Sequence, residues 1–140
     1  MKYNFKTEIG TFSPEVVDFF YPYEGGRFSD YKGEGEGKHW VNISLNYKGT
    51  EAFPIELKLD YAAHNDKDKP LYFEAAYPFK VGETDLSIFA GFAKGKDKTD
   101  LYGINDEKVG FINTGLTVTK KLEISKEFSI PISTSFVMRL

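Results

Sequence analysis

The chain has 140 residues, with 18 Lys+Arg against 21 Asp+Glu, no cysteine, thirteen phenylalanines, nine tyrosines and one tryptophan. Its length fits a single domain over 1–140, and 41% hydrophobic with 28% charged content is too balanced for a disordered chain. The missing cysteine excludes disulfides, cysteine zinc sites and thiol nucleophiles, and the net charge of -3 argues against a broad nucleic-acid surface. No run of apolar residues is long enough for a membrane-spanning helix, and Lys2, Lys6 and Glu8 stand where a signal peptide would be apolar. A membrane β-barrel stays open, because its strands are apolar only at alternate positions.

The period along the chain is two. Weak strands are predicted near 2–10 and 13–22, and six clear ones follow. Val41, Ile43, Leu45 and Tyr47 alternate with Asn42, Ser44 and Asn46. Ile55, Leu57, Leu59 and Tyr61 alternate with Glu56, Lys58 and Asp60. Leu71, Phe73, Ala75, Tyr77 and Phe79 oppose Tyr72, Glu74 and Ala76. Leu86, Ile88, Ala90 and Phe92 oppose Ser87, Phe89 and Gly91. Ile112, Thr114, Leu116 and Val118 oppose Asn113, Gly115 and Thr117. The last run sets Phe128, Ile130, Ile132, Thr134, Phe136 and Met138 against Ser129, Pro131, Ser133, Ser135 and Arg139. Pro131 donates no ladder bond, so an edge or a bulge is expected there.

Short connections are expected near 10–12, 48–52, 80–84 and 120–126. Long ones rich in Gly, Asp and Lys are expected at 23–38, 62–70 and 94–108. The fold class is therefore all-β, an antiparallel up-and-down meander of about eight strands, closed as a barrel.

One face is apolar: Leu57, Leu59, Phe73, Leu86, Ile88, Phe92, Leu116 and Ile132 face lipid or core. The other carries small residues (Ser44, Ala76, Ser87, Gly91, Gly115, Ser133) and a few charges, Glu56, Lys58, Asp60, Glu74 and Arg139. Small residues between opposite charges suit a crowded polar lumen, which makes those five the lumen-facing candidates. Aromatics near the strand ends, among them Tyr3, Phe20, Trp40, Tyr47, Phe53, Tyr61, Phe79 and Phe128, suit an interfacial girdle. Two readings stay open: a membrane barrel with the apolar face outside, and a water-soluble barrel with that face inside, binding a small hydrophobic ligand.

Candidate chemistry is sparse. His64 with Asp66 and Asp68 is the one cluster a rim hydrolase could use, but HNDKDKP is explained as a turn. Asp66, Asp68, Asp97, Asp100 and Asp106 lack calcium-loop spacing, and GEGEG at 33–37 lacks the strand–helix context of a phosphate loop. No catalytic residue, metal site or cofactor is expected.

The segments EAAYPFKVGETDLSIFAGFAKGKD (74–97) and GFINTGLTVTKKLEISKEFSIPI (110–132), with DFFYPYEGG (18–26) and FPIEL (53–57), carry a resemblance. They are similar to the C-terminal part of outer-membrane β-barrel proteins of Bacteroidetes, the TorF-type porins. The resemblance implies a non-enzymatic barrel of the outer membrane, acting as a passive channel or structural barrel, with lipid or detergent as its partner. The family's first strands and its final aromatic strand have no counterpart here, and the loop alternation puts both termini at the long-loop end. The expectation is a truncated or engineered form, whose open strand edges invite self-association.

Overall fold

In a computed structural model the chain forms one eight-stranded antiparallel sheet in the order β1 to β8; residues 1–22, 26–94 and 109–139 are described. The strands are β1 (Phe5–Thr7), β2 (Gly10–Phe20), β3 (His39–Thr50), β4 (Phe53–His64), β5 (Leu71–Val81), β6 (Thr84–Lys94), β7 (Val109–Glu123) and β8 (Ser129–Arg139). Among the described residues there is no helix. Every strand pairs with its neighbour in sequence, so the meander is a chain of hairpins.

The strands run longer than the alternation alone predicts, because the ladders continue into the residues beside the turns. β3 and β4 reach Thr50 and Phe53 through a register shift after Lys48, leaving only Glu51 and Ala52 in the turn. Gly82 has φ +60° and opens the two-residue turn to Thr84, the glycine-first geometry whose twist matches a hairpin. The connections at one end of the sheet are short, while 21–38 and 65–70 lie at the other end.

Two expectations are corrected. The sheet is open: no pairing joins β1 to β8 among the described residues. β1 is three residues long, and backbone bonds in the same register continue its pairing with β2 past the Lys2–Glu15 bridge, Tyr3 N donating to Pro14 O and Val16 N to Met1 O. Ile112 leaves the apolar row. A bulge sets Gly91 opposite Asn113 but Phe92 opposite Phe111, so Ile112 is the extra residue and buries itself with Tyr72 and Ala93.

The sheet curls toward its polar face. Ser13 and Ser44 are each 8% exposed on that concave side, while Ile43 is 48% and Ile88 51% exposed on the convex side. Small residues make the curl possible. A Cβ on Gly91 would lie 2.0 Å from Asn113 Oδ1 and 2.6 Å from the Tyr72 hydroxyl, and one on Gly115 would lie 2.5 Å from the Phe89 ring.

Candidate functional site: the polar concave face and its rim

Register puts Glu56, Lys58, Asp60, Glu74 and Arg139 on the concave face. Lys58 is opposite Asn46 and Glu74, and Glu56 is opposite Lys48 and Ala76. Lys58 Nζ pairs with Asp60 Oδ2 at 2.6 Å, and Lys48 Nζ with Glu56 Oε1 at 3.5 Å. The Tyr72 hydroxyl donates to Glu74 and lies 3.5 Å from Asn113 Oδ1, in the space left by Gly91. Arg139 is on β8 opposite Asn113, on the same face but three strands from Glu74. A cavity of about 460 Å³ opens here, lined by Lys2, Lys6, Lys48, Lys58, Glu56 and Glu74 among others. The exposed Lys48–Glu56 pair contributes less than about 1 kcal/mol, whereas Lys58 reaches a largely buried Asp60 whose Oδ1 has no hydrogen-bond partner among the described residues. The chemical consequence of these pairs is a hydrated, mixed-charge surface.

The convex face is its inverse. Leu45, Leu59, Phe73 and Phe92 form one cross-strand row, and Tyr77, Ile88, Leu116 and Phe136 another. Leu57, Leu86 and Ile132 face the same way. On β4 the row runs through Ile55, Leu57 and Leu59 to Tyr61, while Phe53, opposite Thr50 beyond the register shift, falls on the other face. At about 3.3 Å per residue the row from Ile55 to Tyr61 runs roughly 20 Å along the strand. A convex hollow lined by Ile9, Phe12, Leu45, Leu57, Leu59 and Phe73 is almost wholly apolar.

At the long-loop end the sequence did not announce what the structure assembles. His39 is fully buried on the convex side, where Phe28 and Tyr31 pack against it. Its Nδ1 lies 2.8 and 3.0 Å from the Asp18 carboxylate oxygens, and its Nε2 lies 2.6 Å from the Phe28 carbonyl. Both neighbours are acceptors, so each contact is a hydrogen bond when the facing nitrogen carries its proton. Tyr31 stacks on the imidazole with centroids 3.7 Å apart and donates its hydroxyl to Asp18 at 2.7 Å. That hydrogen bond to a carboxylate pushes the Tyr31 phenol above its ordinary value, with burial and the Asp18 charge adding to it. Phe20 and Phe28 close the sides of the ring. The available signal was a histidine in an apolar row beside an aromatic loop, which has no fixed spacing.

Asn65, at φ +66°, ties the glycine loop to the β4–β5 connection. Its Oδ1 accepts from Gly35 N and Gly37 N, and its Nδ2 donates to Gly37 O. GEGEG is thus a docked loop. Asp66 Oδ1 accepts from the amides of Asp68 and Lys69, the turn that HNDKDKP implied. His64 Nε2 is buried with no hydrogen-bond partner among the described residues, so His64, Asp66 and Asp68 form no acid–base relay. Among the described residues no three His, Cys, Asp or Glu side chains converge as a metal site. Asp97, Asp100 and Asp106 lie outside the described residues. Compared with protein-family models, curated proteins and solved structures, the chain finds no match.

Proposed function

We propose that the chain is a non-enzymatic wall of an outer-membrane-type β-barrel, its convex face turned to lipid and its concave face to water. Its role in this reading is passive: a polar path or scaffold, with Glu56, Lys58, Asp60, Glu74 and Arg139 on the wetted side. The observation that carries it is the inversion of a soluble barrel's polarity. The sheet curls around serine, asparagine, lysine and glutamate, and leaves Ile43, Leu45, Leu59 and Ile88 outside. Fully burying such a side chain is worth roughly 1.5–3 kcal/mol. Half-exposed in water, each forgoes on the order of 1 kcal/mol that a hydrocarbon environment returns. Summed over the convex rows, this favours lipid or detergent as the partner of that face.

Size-exclusion chromatography with far-UV circular dichroism, in plain buffer and in detergent micelles, tests the proposal. A β-rich, monodisperse species only with detergent is expected. The same species in plain buffer would overturn it and direct attention to a water-soluble fold that binds an apolar ligand.

A further inference from the structure

The hairpin leading into β8 determines which backbone groups of that strand are already bonded. Ile124 N donates to Phe128 O at 3.0 Å. The ladder continues in that register, with Leu122 opposite Ile130 and Leu116 opposite Phe136. Hydrogen-bonded pairs alternate with non-bonded pairs in an antiparallel ladder. Even-numbered residues of β8 therefore bond to β7. The amides and carbonyls of Ser133, Ser135, Val137 and Arg139 face away from the sheet. Pro131 belongs to the same outward set, and its ring removes an N–H that β7 would not have used. Proline in that position blocks a strand edge, but only near the start of β8. Beyond it Phe136 is 73% exposed, and nearly the whole strand is open on both faces.

We propose that this edge is a strand-addition site whose occupant is a second copy of the chain, paired antiparallel about a two-fold axis at Phe136. In that register Ser135 bonds Val137 of the second copy and Ser133 bonds Arg139 of the second copy, each twice over, making about eight hydrogen bonds. Phe136 meets Phe136 of the second copy on the convex side, and Thr134 meets Met138. The two Arg139 side chains sit at opposite ends, so no like charges face each other. Pro131 lies outside the paired stretch. One self-complementary strand suffices for an isologous interface. The opposite edge is unsuited: Tyr3 N donates to Pro14 O, so Lys2, Asn4 and Lys6 carry its outward groups. A two-fold about Asn4 would set lysine against lysine. The inference holds whether the convex face meets lipid or water.

The chain has no cysteine, so single introduced thiols report pairing directly. The full chain is studied in whichever medium, detergent micelles or plain buffer, gives a β-rich circular dichroism spectrum. Light scattering should give a protein mass twice that of the 15.9 kDa chain. Phe136→Cys falls in a non-bonded pair, where Cβ atoms are about 4.5–5.5 Å apart, and should oxidise readily to a disulfide dimer. Glu83→Cys, on the Gly82 turn, should do so only slowly. Ser135→Pro removes the outward N–H together with the 2.9 Å hydroxyl contact to Thr117, but no backbone bond to β7, and should give the single-chain mass with an unchanged spectrum. A single-chain mass for the unaltered protein, equal oxidation of the two cysteine variants, or a dimeric Ser135→Pro would each overturn the proposal. Should Ser135→Pro lose its β-sheet signal, the comparison of the two cysteine variants decides.

Discussion

Replacing Ile88 by arginine separates a lipid-facing sheet from a water-facing one by magnitude. Ile88 is the fifth residue of β6, between Tyr77 and Leu116 in a convex row, and is 51% exposed. It stands roughly 13 Å along the strand from Thr84, near the middle of an apolar band about 25 Å tall. If that face meets lipid, an arginine near the midplane costs about 2–4 kcal/mol. By the factor of ten per 1.4 kcal/mol, the folding equilibrium then falls by roughly 30- to 1,000-fold. If the face meets water, half the side chain is already wet and the arginine stem still covers its neighbours. The cost then stays within about 1 kcal/mol. The assay is reversible urea unfolding in phospholipid vesicles, followed by Trp40 fluorescence, with Glu83→Arg at a hairpin tip as the reference. A loss at Ile88 no larger than that at Glu83 would refute the reasoning, because the convex rows would then not be in hydrocarbon.

Gly91→Ala should destabilise the sheet by about 1–3 kcal/mol in denaturant titration, since the new Cβ would overlap Asn113 Oδ1 and the Tyr72 hydroxyl. Asn65→Ala removes the acceptor for two loop amides and a residue suited to φ +66°; a loss of about 2 kcal/mol is expected, with faster tryptic cleavage at Lys32 and Lys38. The Tyr31 ring, observed by NMR, should titrate above the ordinary tyrosine range, and Asp18→Asn should return it to that range. The sign follows from linkage: the folded state holds this proton more tightly, so its stabilising contribution is complete below the usual tyrosine pKa and is lost as pH rises through the raised one.

The period-two rows from Val41 to Met138 were legible because each strand has one aliphatic and one small or charged face, and the structure keeps nearly all of those assignments. What escaped was set by neighbours. Ile112 reads as a continuation of the Thr114–Leu116–Val118 row until the partner strand forces a bulge at Gly91. His39 gains its partners only when Phe28 and Tyr31 arrive from a connection whose course no local pattern encodes. The strand expected near 2–10 is assigned only over Phe5–Thr7, while the Lys2–Glu15 bridge and the backbone bonds of Tyr3 and Met1 to β2 continue its register toward the N-terminus. Closure is a property of both edges at once, and alternation within single strands carries no information about it.

The polarity of the faces and the state of the edges constrain each other. Water bonds an unpaired amide at no great cost, so in an aqueous setting the outward groups of Ser133, Ser135, Val137 and Arg139 are tolerable, while the half-exposed convex rows forgo part of their burial energy. In hydrocarbon the balance reverses: the rows are satisfied, and every unpaired backbone group costs several kcal/mol. On the proposed lipid-facing reading both edges therefore need cover, the β8 edge and that of Lys2, Asn4 and Lys6. Covering the β8 edge removes outward amides and carbonyls from two copies at once, so pairing should be tighter in vesicles than in any medium where water reaches the strand. Dimer dissociation measured by dilution in lipid and in detergent gives the comparison, and equal dissociation in both would separate the edge from the bilayer.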